Sequence, residues 1–248
     1  MEKDKEWFAE WFDSPYYHIL YQKHDMKEAE FFLRNLVTHF NPDKNAKIID
    51  LACGKGRHSI FLNTLGFDVT GVDLSQQSIL AAKEHVNEKL HFEVQDLRNL
   101  QMPAHFDIAL NLFTSFGYFD SFETDLLVLK QIHSILKPNG FLLIDFFNTN
   151  KVLDCLIKTE IKEICHIKFK ISKVVEDGQI IKNICFTDMG HEYCYSEKVQ
   201  ALRLNNFKEL LQKSGFDLTN IFGNYALESF DELQSDRLII LARKKDVR

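Results

Sequence analysis

The chain has 248 residues, 45% of them apolar and 27% charged, and 30 Lys and Arg against 36 Asp and Glu leave a formal net charge of −6. Those proportions exclude a disordered or collagen-like chain and suit one large domain with an elaboration. The mild acidity supplies no general field for polyanions, so neither nucleic acid nor a membrane surface is the expected partner.

The five cysteines, Cys53, Cys155, Cys165, Cys185 and Cys194, are odd in number and share no CxxC spacing. Neither a disulfide framework nor a metal site is predicted. The first residues, MEKDKEWFAEWF, lack the apolar stretch of a signal peptide, and no apolar run is long enough to span a bilayer. A reducing, cytoplasmic setting is the expectation.

Residues 1–45 read as a helical cover. Trp7, Phe8, Trp11 and Phe12 recur at helical spacing until Ser14-Pro15 interrupts, the aromatic stretch 16–21 follows, and a second helix is predicted over about 26–40, stopped by Asn41-Pro42. Residues 46–150 then alternate short apolar runs with helical patterns: KIIDLA, a helix near 57–65 closed by Gly66, DVTGVD, a helix near 76–86, HFEVQD, FDIALNLF, a helix near 123–136, and FLLIDFF. Lys137-Pro138-Asn139-Gly140 reads as the terminus of the last helix. Such strand and helix units require crossovers and imply a parallel sheet covered on both faces.

The pattern changes over 151–204. After a short helix near 152–157, EIKEICHIKFKISKVV and QIIKNICFTD alternate with period two across Glu176-Asp177-Gly178-Gln179, a hairpin signal, and residues 192–204 read as a third antiparallel strand. Basic and acidic residues nearly balance here, and Lys168 and Lys170 alternate with Ile167, Phe169 and Ile171 as on the solvated face of a strand. Over 205–248, a helix at about 206–214 ended by Gly215 and two strands, DLTNIFGNY and RLIILAR, complete the core. The predicted fold class is α/β: a doubly wound, mostly parallel seven-stranded sheet with an antiparallel β insertion after the fifth strand.

Chemistry concentrates in Asp50-Leu51-Ala52-Cys53-Gly54-Lys55-Gly56-Arg57-His58, which leaves a buried strand, turns through two glycines and enters a helix. Glycines permit the tight turn and let a nucleotide-like ligand approach main-chain N–H groups. GxG alone is a weak motif. It is strengthened by Asp73, ending the next strand where a carboxylate can accept both hydroxyls of a ribose, and by Asp96, ending the third. Three successive strands thus each bring an acid to the edge where ligands of open α/β sheets bind.

DLACGKGRHS, VTGVDLS, VQDL and LKPNGFLLIDF, in this order, resemble the class I S-adenosylmethionine-dependent methyltransferases, closely over 46–147 and more loosely in the flanks. GKGRHS, the aromatic amino-terminal segment and SFGYF are together similar to a bacterial subgroup of small methyltransferases. The resemblance implies a Rossmann-like methyltransferase fold and S-adenosylmethionine as cofactor. It places Asp50 and the turn of Ala52, Cys53, Gly54 and Gly56 on the methionine portion, Asp73 and the adjoining Leu74 on the ribose, and Asp96 with the Leu97 backbone on the adenine. Asn111 would lie beneath the sulfonium, with Tyr17 and Tyr21 close to the cofactor. Ser115, Phe116 and Tyr118 after the fourth strand, and His191 in the insertion, are the candidates for a small-molecule acceptor.

Two alternatives stay open. An NAD-dependent oxidoreductase needs GxGxxG, whereas Gly54-Lys55-Gly56-Arg57-His58-Ser59 has serine at the third position, and Asp50 suits an α-amino group that NAD lacks. A non-catalytic binding module is the other, because no catalytic base stands out: His18, His24 and His191 are candidates in the covering segments, and His58 is not assigned as a base.

Overall fold

The computed structural model describes residues 7–21, 26–119 and 121–245, with side chains from residue 10 onward. The chain opens with α1 (Trp7–Phe12), α2 (Pro15–Leu20) and α3 (Met26–Phe40). The core follows as β1 (Lys47–Leu51), α4 (Arg57–Thr64), β2 (Asp68–Asp73), α5 (Gln76–Ala82), β3 (Leu90–Val94), β4 (Phe106–Asn111), α6 (Phe122–Ile135) and β5 (Leu136–Phe147). After α7 (Thr149–Asp154) come β6 (Thr159–Ile164), β7 (Ile167–Glu176), β8 (Gln179–Asp188) and β9 (His191–Gln200), then α8 (Leu204–Ser214), β10 (Phe216–Phe222) and β11 (Arg237–Lys244).

Seven strands form one sheet in the order β10-β11-β5-β4-β1-β2-β3, and β6-β7-β8-β9 form a second. The large sheet is parallel except at β11, which runs antiparallel to both neighbours, β5 and β10. This is the predicted fold class. Its central strands are apolar along their length because helices bury both faces: α6 and α8 supply Val128, Leu129, Ile132, Phe207 and Leu210 to one side, and α3, α4 and α5 supply Phe32, Leu33, Leu62 and Ile79 to the other. Strand order reverses between β1 and β4, where Leu51 lies beside Asn111. Their carboxyl ends therefore form the switch-point crevice of the sheet.

The amino-terminal helices pack on the small sheet. Trp11 and Leu20 join Ile167, Phe169, Ile171, Ile184 and Phe186 in a third apolar cluster, so α1, α2 and the insertion make one cover. Ser14-Pro15 ends α1 and also starts α2, since the Ser14 side chain accepts from the Tyr16 N–H and Pro15 occupies the first turn, where no intrahelical donor is required.

Four local expectations are corrected. The run read as one strand before the Glu176 hairpin divides into β6 and β7, because Cys165 and His166 both adopt positive φ in a two-residue turn. A two-residue turn preserves an alternation of period two, so the pattern does not register it. Lys137-Pro138-Asn139-Gly140 lies within β5, as a register shift between Phe106 and Ile108 of β4. Asp96 stands two residues beyond the end of β3. A disulfide joins Cys185 and Cys194, which were expected as free thiols: the antiparallel register of β8 and β9 sets them directly opposite, with Cα atoms 4.2 Å apart.

Candidate active site

The turn after β1 is built on left-handed backbone at Ala52, Gly54 and Gly56. The Cys53 N–H donates to Val72 O at 2.9 Å, and the Gly54 N–H to Asp73 Oδ2 at 2.8 Å, so the turn is tied to the end of β2. The two glycines serve different needs. A Cβ on Gly56 would sit 2.5 Å from the Phe92 ring, whereas one on Gly54 would meet nothing within 4 Å. Gly56 is required by packing and Gly54 borders open space.

Asp50 is buried, 1% exposed, and accepts from the Ser59 hydroxyl at 2.6 Å. Burial pushes its carboxyl up to about 7, against the Ser59 hydrogen bond. Asp73 is also raised by burial, although the Ser75 N–H at 2.8 Å and the Gly54 N–H hold its ionised form. Asp13, in the turn between α1 and α2, accepts from the Ser75 hydroxyl and so fastens the cover beside Asp73. Asp96 is gripped by the Arg98 fork, Nε to Oδ1 at 3.0 Å and Nη2 to Oδ2 at 2.6 Å, and this pairing outweighs burial to hold its carboxyl low. Leu97 packs against the core and Leu74 is exposed. Buried Asn111 reaches Leu51 O at 3.4 Å through Nδ2, and its Oδ1 has no partner among the described residues. An unpaired buried acceptor costs about 1–3 kcal/mol, so Oδ1 is a place for an incoming donor.

The cover carries a polar cluster that sequence reading missed. Glu197 on β9 accepts from Trp11 Nε1 at 2.7 Å, from the Tyr21 hydroxyl at 2.6 Å, and pairs with Lys182 at 3.2 Å. Tyr17 and Tyr118 lie in the field of Glu197, and burial with that field raises both phenols, as it does Tyr21. Tyr17 also feels Asp73 and Arg57. No signal separates Glu197 from other acids of an alternating strand, because its partner Trp11 is 186 residues distant and only the fold brings the two together. Glu197→Ala removes the acceptor that Trp11, Tyr21 and Lys182 share. It should destabilise the protein by about 2 kcal/mol, less than for a fully buried pair since both side chains keep some exposure. Hydrogen exchange should show faster opening of residues 11–21.

A second missed cluster lies where the loop after β4 meets β5 and β11. Asp145 is fully buried and accepts from the Phe113 N–H at 2.9 Å, Arg237 Nε at 2.8 Å and the Tyr225 hydroxyl at 3.2 Å. The left-handed Phe113 and Thr114 bend the loop around it, and His58 stacks on Phe113. Burial, with Arg57 beside it, lowers His58 to about 3, so it is neutral. The signal for this cluster was legible: an acid inside FLLIDFF must find a partner.

Of the acceptor-side candidates, Tyr118 lies between the two clusters, feeling both Glu197 and Arg237. Ser115 turns back to Leu112 O at 2.8 Å, and Phe116 is buried in the core against Phe207. His191 stands exposed at the β8–β9 hairpin end, apart from both clusters. His18 is lowered by burial and by the Lys55 charge. His24 and the side chains of Trp7 and Phe8 lie outside the described residues. Among the described residues no group of His, Cys, Asp and Glu could hold a metal ion, and no helix is long and apolar enough to cross a membrane.

These residues fit a nucleoside that bears an ammonium group. A glycine faces open space, a buried carboxyl is pushed up by its burial, a second carboxylate stands at the end of β2, and a carbonyl oxygen is orphaned at the switch point. Fold and site together define a class I, Rossmann-like S-adenosylmethionine-dependent methyltransferase. Residues 42–215 match the family described as "Methyltransferase domain", and the chain belongs to that family. It is 28% identical over 213 residues to the Bacillus subtilis (strain 168) protein YqeM, which carries a methyltransferase name, covering 82% of this chain and 85% of that one. It is 29% identical over 224 residues to a glycine/sarcosine N-methyltransferase of Aphanothece halophytica, covering 88% and 82%. Among solved structures, an S-adenosylmethionine-dependent methyltransferase from Clostridium acetobutylicum ATCC 824 superposes with a TM-score of 0.78 at 18% identity, over 93% of this chain and 96% of that one.

Proposed function

We propose that the enzyme methylates a small-molecule acceptor, with the cofactor laid across the carboxyl ends of β1, β2 and β4. The observation that carries this reading is the Asp73 carboxylate held 2.8 Å from the Gly54 N–H, beside the open face of that glycine. In it, Asp50 and the turn of Ala52, Cys53, Gly54 and Gly56 take the methionine portion, Asp73 and Leu74 the ribose, Asp96 and Leu97 the adenine, and Asn111 lies beneath the sulfur. Tyr17 and Tyr21 close over the cofactor from α2. Helices α1 and α2 and residues 151–204 form the acceptor's cover, with Tyr118 the candidate wall and Ser115 a farther contributor. GKGRHS marks the bacterial small-methyltransferase subgroup, and a cytoplasmic setting goes with it. The small acceptor named for the Aphanothece halophytica relative supports the substrate class.

S-adenosylmethionine supplies an activated methyl group whose departure leaves a neutral thioether, so no acid is needed to assist the leaving group. The protein's part is positioning: cover and β4 loop hold the acceptor atom in line, about 3 Å from the methyl, and exclude water. Calorimetry with S-adenosylhomocysteine, then transfer of labelled methyl across a metabolite panel, tests the reading. Binding without transfer to any acceptor would favour a non-catalytic module, and no binding would remove the site.

Asp50 adds a pH signature. Its folded pKa near 7 lies above the usual carboxylate value, so it stabilises the ligand-free protein at low pH and this contribution fades as pH rises towards 7. An ammonium placed beside it pulls the carboxyl down. Near pH 6.5, S-adenosylhomocysteine binding should therefore release a proton, seen as an enthalpy that depends on the buffer, and affinity should rise from pH 5 to 8. Asp50→Asn should abolish the release; an unchanged buffer dependence would place the ammonium elsewhere.

A further inference from the structure

Arg237 begins β11 at the carboxyl edge of β5, and its guanidinium is held on two sides. Nε donates to Asp145 Oδ1 at 2.8 Å and Nη2 to Thr114 Oγ1 at 3.0 Å. Those two bonds lock the plane of the fork, and Nη1 has no hydrogen-bond partner among the described residues. The Arg237 side chain keeps 19% exposure while Asp145 keeps none, so what solvent reaches of the pair belongs to Arg237.

The surroundings are aromatic. The Tyr225 ring centroid lies 5.6 Å from the guanidinium carbon, and Tyr118 lies in the field of Arg237. Burial pushes Arg237 down, but Asp145 and Tyr225 more than compensate, so it remains charged. Thr114 stands three residues beyond Asn111 in the loop that leaves β4, which sets the cation just past the switch point.

We infer that Arg237 recognises the methyl acceptor, and that the acceptor carries a carboxylate that binds the Nη1 edge of this locked guanidinium between Tyr118 and Tyr225. Charge favours a monoanion: Asp145 already offsets the cation, and a dianion would add two further negative charges beside a buried carboxylate. The inference rests on the proposed cofactor placement and adds the acceptor class to it.

The test uses the full-length enzyme saturated with S-adenosylhomocysteine, titrated with acetate, glycine, lactate and benzoate and with the corresponding four amides. Transfer of labelled methyl from S-adenosylmethionine is followed with the same eight compounds. At least one acid should bind or react about tenfold better than its amide. Arg237→Lys keeps a charge for Asp145 but loses the fork, and should weaken that acid about tenfold while S-adenosylhomocysteine affinity stays within about twofold. Thr114→Ala leaves the ion pair intact, frees the guanidinium plane, and should weaken the acid about threefold; it decides the matter if Arg237→Lys fails to fold. Acids that never surpass their amides overturn the inference. So does a loss confined to S-adenosylhomocysteine, which would assign Arg237 to the cofactor's own carboxylate. Failure of the wild-type enzyme to bind S-adenosylhomocysteine at all would instead sink the cofactor placement.

Discussion

Asp73→Ala is expected to weaken S-adenosylhomocysteine binding by more than about 100-fold, because a ribose diol loses two hydrogen bonds to a charged acceptor, each of about 1.5–3 kcal/mol. The fold should lose less. Asp73 accepts the Gly54 and Ser75 N–H groups at 2.8 Å each, so its removal frees two donors, but it also removes a carboxylate that burial already penalises. Asp73→Asn keeps an acceptor oxygen and should lose about tenfold in affinity. Calorimetry paired with thermal unfolding separates the two effects. Undiminished binding by an intact Asp73→Ala protein would show that the nucleoside lies elsewhere.

The paired glycine substitutions make an opposite contrast. Gly56→Ala combines a left-handed φ of +79° with a Cβ 2.5 Å from Phe92 and 3.3 Å from Ala82 Cβ, in a packed region between α5 and β3. Backbone strain and overpacking should together cost about 2–4 kcal/mol of stability. Gly54→Ala has a φ of +55° and open space around the added carbon, so only the left-handed strain of about 1–2 kcal/mol applies. Its methyl would project where the ligand is placed, so Gly54→Ala should remain folded and lose about 100-fold in S-adenosylhomocysteine affinity. Denaturant unfolding and calorimetry on both variants give the comparison. A Gly54→Ala protein that binds normally would remove the turn from the ligand path.

The alternation of apolar runs and helical patterns over 46–150 was enough to specify a doubly wound sheet, because a parallel sheet buried on both faces writes continuous apolar strands into its sequence. Asp50, Gly54, Gly56 and Asp73 were legible for a related reason: each follows or ends such a run, and strand order places those ends on one edge. The β6–β7 turn at Cys165-His166 was not, since two residues of positive φ leave the alternation undisturbed.

What local sequence determined, then, is the core and the residues its own strands carry to the crevice. The tertiary structure alone decided how α1 and α2 dock on the small sheet and which residues meet its buried charges. Trp11 meets Glu197 across 186 positions and Arg237 meets Asp145 across 92. Cys185 faces Cys194 only because β8 and β9 pair in one register. Periodicity records which face of an element is buried, whereas the partner of a buried charge is set by how separate elements dock.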